Sequence, residues 1–136
     1  MDDAVFQAES NGIRVRVRPY YAPDHSVHHR RQYVFIYHIT IENLGDATVT
    51  LLRRHWYIHD PVGGDGEVEG EGVVGDQPVL APGDDYEYES YCVLEGPEGH
   101  MEGHYTFRRT DGAVFDARIP RFFLRARDAG PALGPF

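Results

Sequence analysis

The sequence predicts an all-β protein, an antiparallel β-sandwich of about seven strands, and three observations carry that prediction. Apolar and polar residues alternate with a period of two through most of the 136-residue chain. Its 15 glycines and 9 prolines fall without a fixed period, which points to many turns. No window of about a dozen residues carries an apolar stripe at helical spacing. A chain of this length forms one domain and buries roughly two-thirds of its unfolded surface. Nine Tyr and seven Phe supply material for its core.

Residues 1–10 are polar and are expected to be a flexible segment, with the folded domain over 11–125 and a flexible tail over 126–136. From Ile13 the alternation is strict, with Ile13, Val15 and Val17 against Arg14, Arg16 and Arg18. That is a half-buried strand, closed by Pro19. Residues 22–31 carry Pro23, Asp24 and three histidines and read as a loop. In the next strand Tyr33, Phe35, Tyr37, Ile39 and Ile41 share an apolar face, as a central sandwich strand requires. Asn43-Leu44-Gly45-Asp46 is a turn. The strand after it, Thr48 to about Asp60, changes phase between Leu51 and Trp56, so a bulge is expected near Leu52 or Arg53. A stretch rich in glycine and carboxylates follows from Asp60 to Gly75. Pro82-Gly83 then turns the chain into a strand with Tyr86, Tyr88, Ser90, Cys92 and Leu94 on one face. Met101, Gly103, Tyr105 and Phe107 alternate next, Asp111-Gly112 signals a hairpin, and Phe115, Ala117 and Ile119 alternate up to Pro120.

Charge narrows the function classes. Thirteen basic residues, all arginine, face 22 carboxylates, for a formal charge of −9. That balance repels phosphate backbones and gives anionic membranes nothing to hold, so nucleic acid is not an expected partner. No run approaches the roughly 18 apolar residues of a membrane span, so membrane insertion is not expected. The opening MDDAVFQAES lacks the apolar core of a secretory signal, and a cytoplasmic location is the expectation. Cys92 is the single cysteine, which excludes a disulfide within the chain.

Four constellations could carry chemistry. Gly70-Glu71-Gly72-Val73-Val74-Gly75 spells GxGxxG, which in dinucleotide folds precedes a helix N-terminus. Here Pro78 and Pro82 forbid that helix. The segment therefore reads first as a glycine-rich strand with a bulge or close backbone approach. A nest of N–H groups at Gly70, Gly72 and Gly75 holding a phosphate is the second reading. Asp60, Asp65, Glu67, Glu69 and Glu71 suggest a divalent cation, but a spacing of two lines carboxylates along a strand instead of around an ion. Of eight histidines, His25, His28 and His29 share a loop and are the metal candidates. His55 and His59 share a strand face, and no HExxH or Cys/His spacing joins any of them. Arg53, Arg54 and Tyr57, with Tyr20, Tyr21, Arg30 and Arg31, are candidates for a protein interface. Ser90 and Cys92 lie on a core face and no GxSxG elbow exists, so no catalytic residue is assigned.

The run Gly70, Gly72, Val73, Val74, Gly75, Gln77 and Pro78 resembles the ApaG family. The likeness continues through Leu80, Pro82, Gly83, Tyr88, Ser90, Pro97, Gly99, Met101, Gly103, Tyr105, Phe107 and Ile119-Pro120. Tyr33, Tyr37, Ile39, Asn43 and Arg54-His55-Trp56 fit the same pattern in the N-terminal half. The resemblance implies an immunoglobulin-like or fibronectin-III-like sandwich. It also implies a bacterial protein linked by family naming to cobalt and magnesium efflux or resistance, and kinship with interaction parts of eukaryotic F-box and DNA-polymerase-interacting proteins. It names no catalytic residue. The expected function is a non-catalytic binding or regulatory module without a cofactor, acting through a protein partner in divalent-cation homeostasis. The alternative is a binder of phosphate, pyrophosphate or metal–phosphate, or an enzyme using it, at residues 70–75. Exposed sheet edges leave homo-oligomers open.

Overall fold

A computed structural model describes residues 4–126 and contains nine strands. They are β1 (Phe6–Ser10), β2 (Ile13–Tyr21), β3 (Tyr33–Asn43), β4 (Val49–His59), β5 (Gly66–Glu71), β6 (Val79–Leu80), β7 (Asp85–Leu94), β8 (Glu98–Arg109) and β9 (Val114–Arg125). Two antiparallel sheets, β1-β2-β3-β7 and β5-β4-β8-β9, face one another, with the two-residue β6 alongside β4. The antiparallel sandwich the sequence predicts is present, with nine strands where about seven were expected, in the immunoglobulin-like, fibronectin-III-like form that the resemblance implies. Among the described residues no helix is long and apolar enough to cross a membrane.

The two-residue period builds the core. Ile13, Val15 and Val17 of β2 pair with Asn43, Ile41 and Ile39 of β3, so one apolar face spans both strands. The second sheet answers with Leu51, Trp56, Met101, Tyr105, Phe107, Ile119, Phe122 and Leu124, all buried. Each such side chain contributes about 1.5–3 kcal/mol by leaving water. Trp56 stands in the middle, its ring 5.4 Å from Tyr37, 5.8 Å from Phe122 and 6.5 Å from Tyr105.

Several boundaries differ from the sequence reading, each for a local reason. Phe6–Ser10 is not a flexible segment but strand β1, in register with Val17–Ile13 of β2. Its alternation is hidden because the pair lies at a sheet edge, where polar residues are tolerated. Pro19 does not close β2, which continues to Tyr21. β1 ends opposite Val17, so Pro19 sits where β2 has a neighbour on one side only, and a missing N–H is tolerated there. Pro120 likewise lies inside β9, at a point where the register with β8 slips by one residue between Ile119 and Phe122. The slip re-aims Phe122 and Leu124 into the core. The expected bulge in β4 is present, with the register shifting between Leu51 and Arg53. Ala126 donates its backbone N–H to the Pro97 carbonyl at 2.8 Å. The rest of the expected tail, 127–136, lies outside the described residues.

Two buried polar side chains fix the turns. Asn43 donates to the carbonyls of Ala47 (2.9 Å) and Leu80 (3.0 Å) and accepts from the Gly45 N–H (3.0 Å), tying the β3–β4 turn to β6. Asp60 belongs to no solvated acidic loop. It is buried and accepts from the backbone N–H groups of Val62 (3.0 Å), Gly63 (3.0 Å) and Glu95 (2.8 Å).

Candidate functional site

The bulge in β4 decides which side chains meet. After it, Arg54, Trp56 and Ile58 point into the sandwich, while Arg53, His55, Tyr57 and His59 point out. Arg53, Arg54 and Tyr57 therefore do not make one patch. Arg53 and Tyr57 are exposed on the outer face, and Arg54 reaches into the cleft between the sheets. Its Nη1 donates to the carbonyls of Glu71 (2.9 Å) and Gly72 (3.0 Å).

That arrangement gives the glycine motif its conformational work. A Cβ on Gly70 would stand 3.0–3.1 Å from the Arg54 guanidinium, which occupies the space. Gly72 has φ +61°, and a Cβ there would stand 2.1 Å from the Asp76 carbonyl oxygen. Val73 and Asp76 exchange two backbone hydrogen bonds across Val74 (φ 42°) and Gly75 (φ +87°), a turn of the I′ type. The Gly72→Ala variant is expected to lose about 2 kcal/mol of stability in urea unfolding, from left-handed backbone and the carbonyl clash together. Gly75→Ala, with open space around its Cβ, should lose clearly less.

The histidines separate into different roles. His25, His28 and His29 are all exposed, but among the described residues only His28 of the three is engaged, stacking on Tyr33 at 4.6 Å and meeting the Tyr21 hydroxyl through Nε2. The loop's three imidazoles thus do not converge. On the outer face of the second sheet, the acidic line of β5 lies beside the β4 histidines. His55 Nε2 is 2.6 Å from Glu67 and Nδ1 3.1 Å from Glu69, and His59 Nδ1 is 2.7 Å from Asp65. His104 stacks on His55 and His100 on His59, at 5.1 and 4.7 Å. Burial, with the Arg121 and His59 charges, lowers the His100 pKa. Among the described residues no group of three or more His, Cys, Asp or Glu side chains is placed to hold a metal ion.

The potential nucleophiles are held protonated. Burial pushes the Cys92 thiol up to about 12. The Tyr88 and Tyr105 hydroxyls, 2.5 Å apart, are both raised by burial as well.

Sequence reasoning missed the outer face of the first sheet. Tyr20, Ile36 and Tyr91 lie in one row across β2, β3 and β7, and Val34 faces Val93 in the row beside it. Tyr91 at 67%, Val93 at 49% and Tyr20 at 38% exposure stand in solvent, with Val34 and Ile36 half-buried among them. The other half of that face satisfies itself. Glu42 takes Arg14 Nη2 at 2.9 Å and also pairs with Arg16, which holds its carboxyl below the ordinary range, and His38 lies 2.7 Å from Glu87. Alternation put Tyr91 and Val93 outward, but only the register shows them beside Tyr20, Val34 and Ile36. Tyr21, grouped with Tyr20 in the sequence reading, is buried.

The description "ApaG domain" matches residues 23–109. A protein described as "Protein ApaG" from Mesorhizobium japonicum is 49% identical over 120 residues, covering 88% of this chain and 92% of the relative. A "Protein ApaG" from Paramagnetospirillum magneticum is 44% identical over 129 residues, 95% of this chain and 99% of the relative. The crystal structure of a putative ApaA protein from Bordetella pertussis superposes with a TM-score of 0.80 at 39% identity, over 88% of this chain and 95% of that one.

Proposed function

This chain belongs to the ApaG domain family, and we propose that it is a non-catalytic binding module that docks a protein partner on the outer face of β2, β3 and β7. The observation that carries the reading is the apolar patch of Tyr20, Val34, Ile36, Tyr91 and Val93, contiguous across three strands and ending at the edge strand β7. Contiguous exposed apolar surface beside a self-neutralised charged half is the composition of a docking site. Its aromatic side chains, Tyr20 and Tyr91, flank Ile36 and are the usual kind of anchor. Protonated Cys92, Tyr88 and Tyr105 support the absence of covalent catalysis. On this reading any part in divalent-cation handling belongs to the partner, which is supported by His28, His55 and His59 pairing with neighbouring rings and carboxylates.

A photo-cross-linking residue at Tyr91, introduced in the source organism, tests this. A discrete adduct with a second protein is expected there and not from the same residue at Asp111, in the β8–β9 turn. Adding Val93→Lys should abolish the adduct. Identical adduct patterns at Tyr91 and Asp111 would remove the proposal.

A further inference from the structure

We infer that the groove between the free edge of β7 and strand β5 takes an extended segment of the partner, with one carboxylate set on Arg54 and an aliphatic side chain two residues along. This rests on the protein-binding reading above and adds the chemistry of what is bound.

β7 closes one edge of its sheet, and among the described residues no strand pairs with its far side along Asp85–Leu94. Its outward N–H and C=O groups are a template for an added strand. Beside that edge the sandwich is open. A cavity of about 170 Å³ is lined by Arg54, Tyr37, Tyr88 and Ser90, with Trp56 and Val74. A second, of about 270 Å³, is lined by Ile58, Val68, Cys92 and Met101 together with the same Tyr37, Arg54, Trp56 and Ser90. The shared residues make the two cavities one groove, cationic and hydroxyl-lined at one end and apolar at the other. Side chains on one face of an extended segment recur every roughly 6.6–6.8 Å. A carboxylate at one position and an aliphatic residue two further on would meet the two ends in turn.

Arg54 selects the charge. It is half-buried, and among the described residues no carboxylate lies within 4 Å of it, whereas Arg14, Arg16 and Arg121 each have one. Its only described hydrogen bonds run from Nη1 to two neutral carbonyls. Nε and Nη2 remain as the fork that grips a carboxylate through two parallel bonds. One guanidinium in a chain of charge −9 matches one negative charge. A pyrophosphate or nucleotide brings several, and Asp76, which accepts from the Tyr86 hydroxyl of β7 at 2.9 Å, would repel the excess. A second copy of this chain carries the same −9, so a separate partner is favoured over self-association.

The test is to pan a display library of random ten-residue peptides, the length of β7, on the folded protein. Enriched peptides should share Asp or Glu followed two positions later by Val, Ile or Leu. By fluorescence polarisation, changing that acid to its amide should weaken binding about tenfold or more, the scale of one charge-assisted pair. Arg54→Gln should weaken it equally, and the two changes together should add little beyond either alone. Because Arg54 also holds the glycine loop, Val68→Asp is the second variant. Val68 is 45% exposed on the edge strand, so its replacement should leave the melting temperature unchanged while placing a repelling carboxylate at the groove. Enriched peptides without an acid, or affinity indifferent to both variants, would overturn the inference. A protein that self-associates through β7 in sedimentation would overturn it too. If the Tyr91 cross-link forms and no groove-dependent peptide emerges, this inference falls alone. If neither is seen, both readings fall.

Discussion

Replacing Asp60 with alanine is expected to cost about 3 kcal/mol, because the buried carboxylate holds three backbone donors that lose their acceptor together. Val62, Gly63 and Glu95 all donate to it, and each donor left buried and unpaired costs about 1–3 kcal/mol. Water reaching the exposed Val62–Gly63 turn keeps the total below the sum. The contact from Glu95 is the structural one, since it ties the end of β7 to the end of β4. The pH dependence follows from the same bonds. Burial alone would raise the Asp60 pKa, yet the N–H groups of Gly63, Glu95 and Val62, with that of Gly96 beside them, outweigh it and leave the value lowered. A carboxyl lowered on folding lends stability that is complete above its unfolded pKa of about 4, and loses it as pH falls through the lower folded value. Wild-type unfolding free energy should therefore drop below about pH 4. The Asp60→Ala curve should be lower at neutral pH and flatter in acid. A variant with the wild-type acid profile would remove Asp60 from this role.

Much of the fold was legible because one face of each sheet is buried and the side-chain period is two. Ile13, Val15 and Val17, or Phe35, Tyr37, Ile39 and Ile41, leave no other face for the core. The β4 bulge was legible for the same reason, since Leu51 and Trp56 cannot both point inward on an unbroken count. What alternation does not report is an edge strand with mixed faces, such as β1, or a strand that runs through proline, as at Pro19 and Pro120. In those cases the missing ladder bond falls at an edge or a bulge, a tertiary fact that local sequence does not carry.

The candidate site was less legible because it depends on register and on which way one residue points. Glu67 and Glu69 read as a free acidic line until pairing with β4 set them against His55. Arg53 and Arg54 read as one basic pair, although neighbours in a strand face opposite ways. The outer patch joins three separate strands, Tyr20 with Val34–Ile36 and with Tyr91–Val93. No spacing rule within one segment shows them together.

Trp56→Ala should cost about 3–5 kcal/mol, the range for truncating a buried large aromatic side chain. Trp56 is 3% exposed and packs edge-on to Phe122 and Tyr105 while its other side meets Tyr37, so it joins β3, β8 and β9 across the sandwich. Against a total stability of about 5–15 kcal/mol, that loss removes much of the folded margin. It should appear as a lower urea midpoint with an unchanged slope. Trp56→Phe keeps one ring and should cost less than half as much. The milder variant separates support of the core from shaping of the groove, because Trp56 also forms the wall common to both cavities beside Arg54. A folded Trp56→Phe protein whose groove still grips an acid-bearing strand as tightly as the wild type would mean that the ring only fills space. Weakened binding with little stability lost would mean that the indole holds the guanidinium in position. The bulge after Leu51 makes both roles possible, for if Leu52 were paired in regular alternation β4 would turn Arg53, His55 and Tyr57 inward and leave Arg54 and Trp56 in solvent.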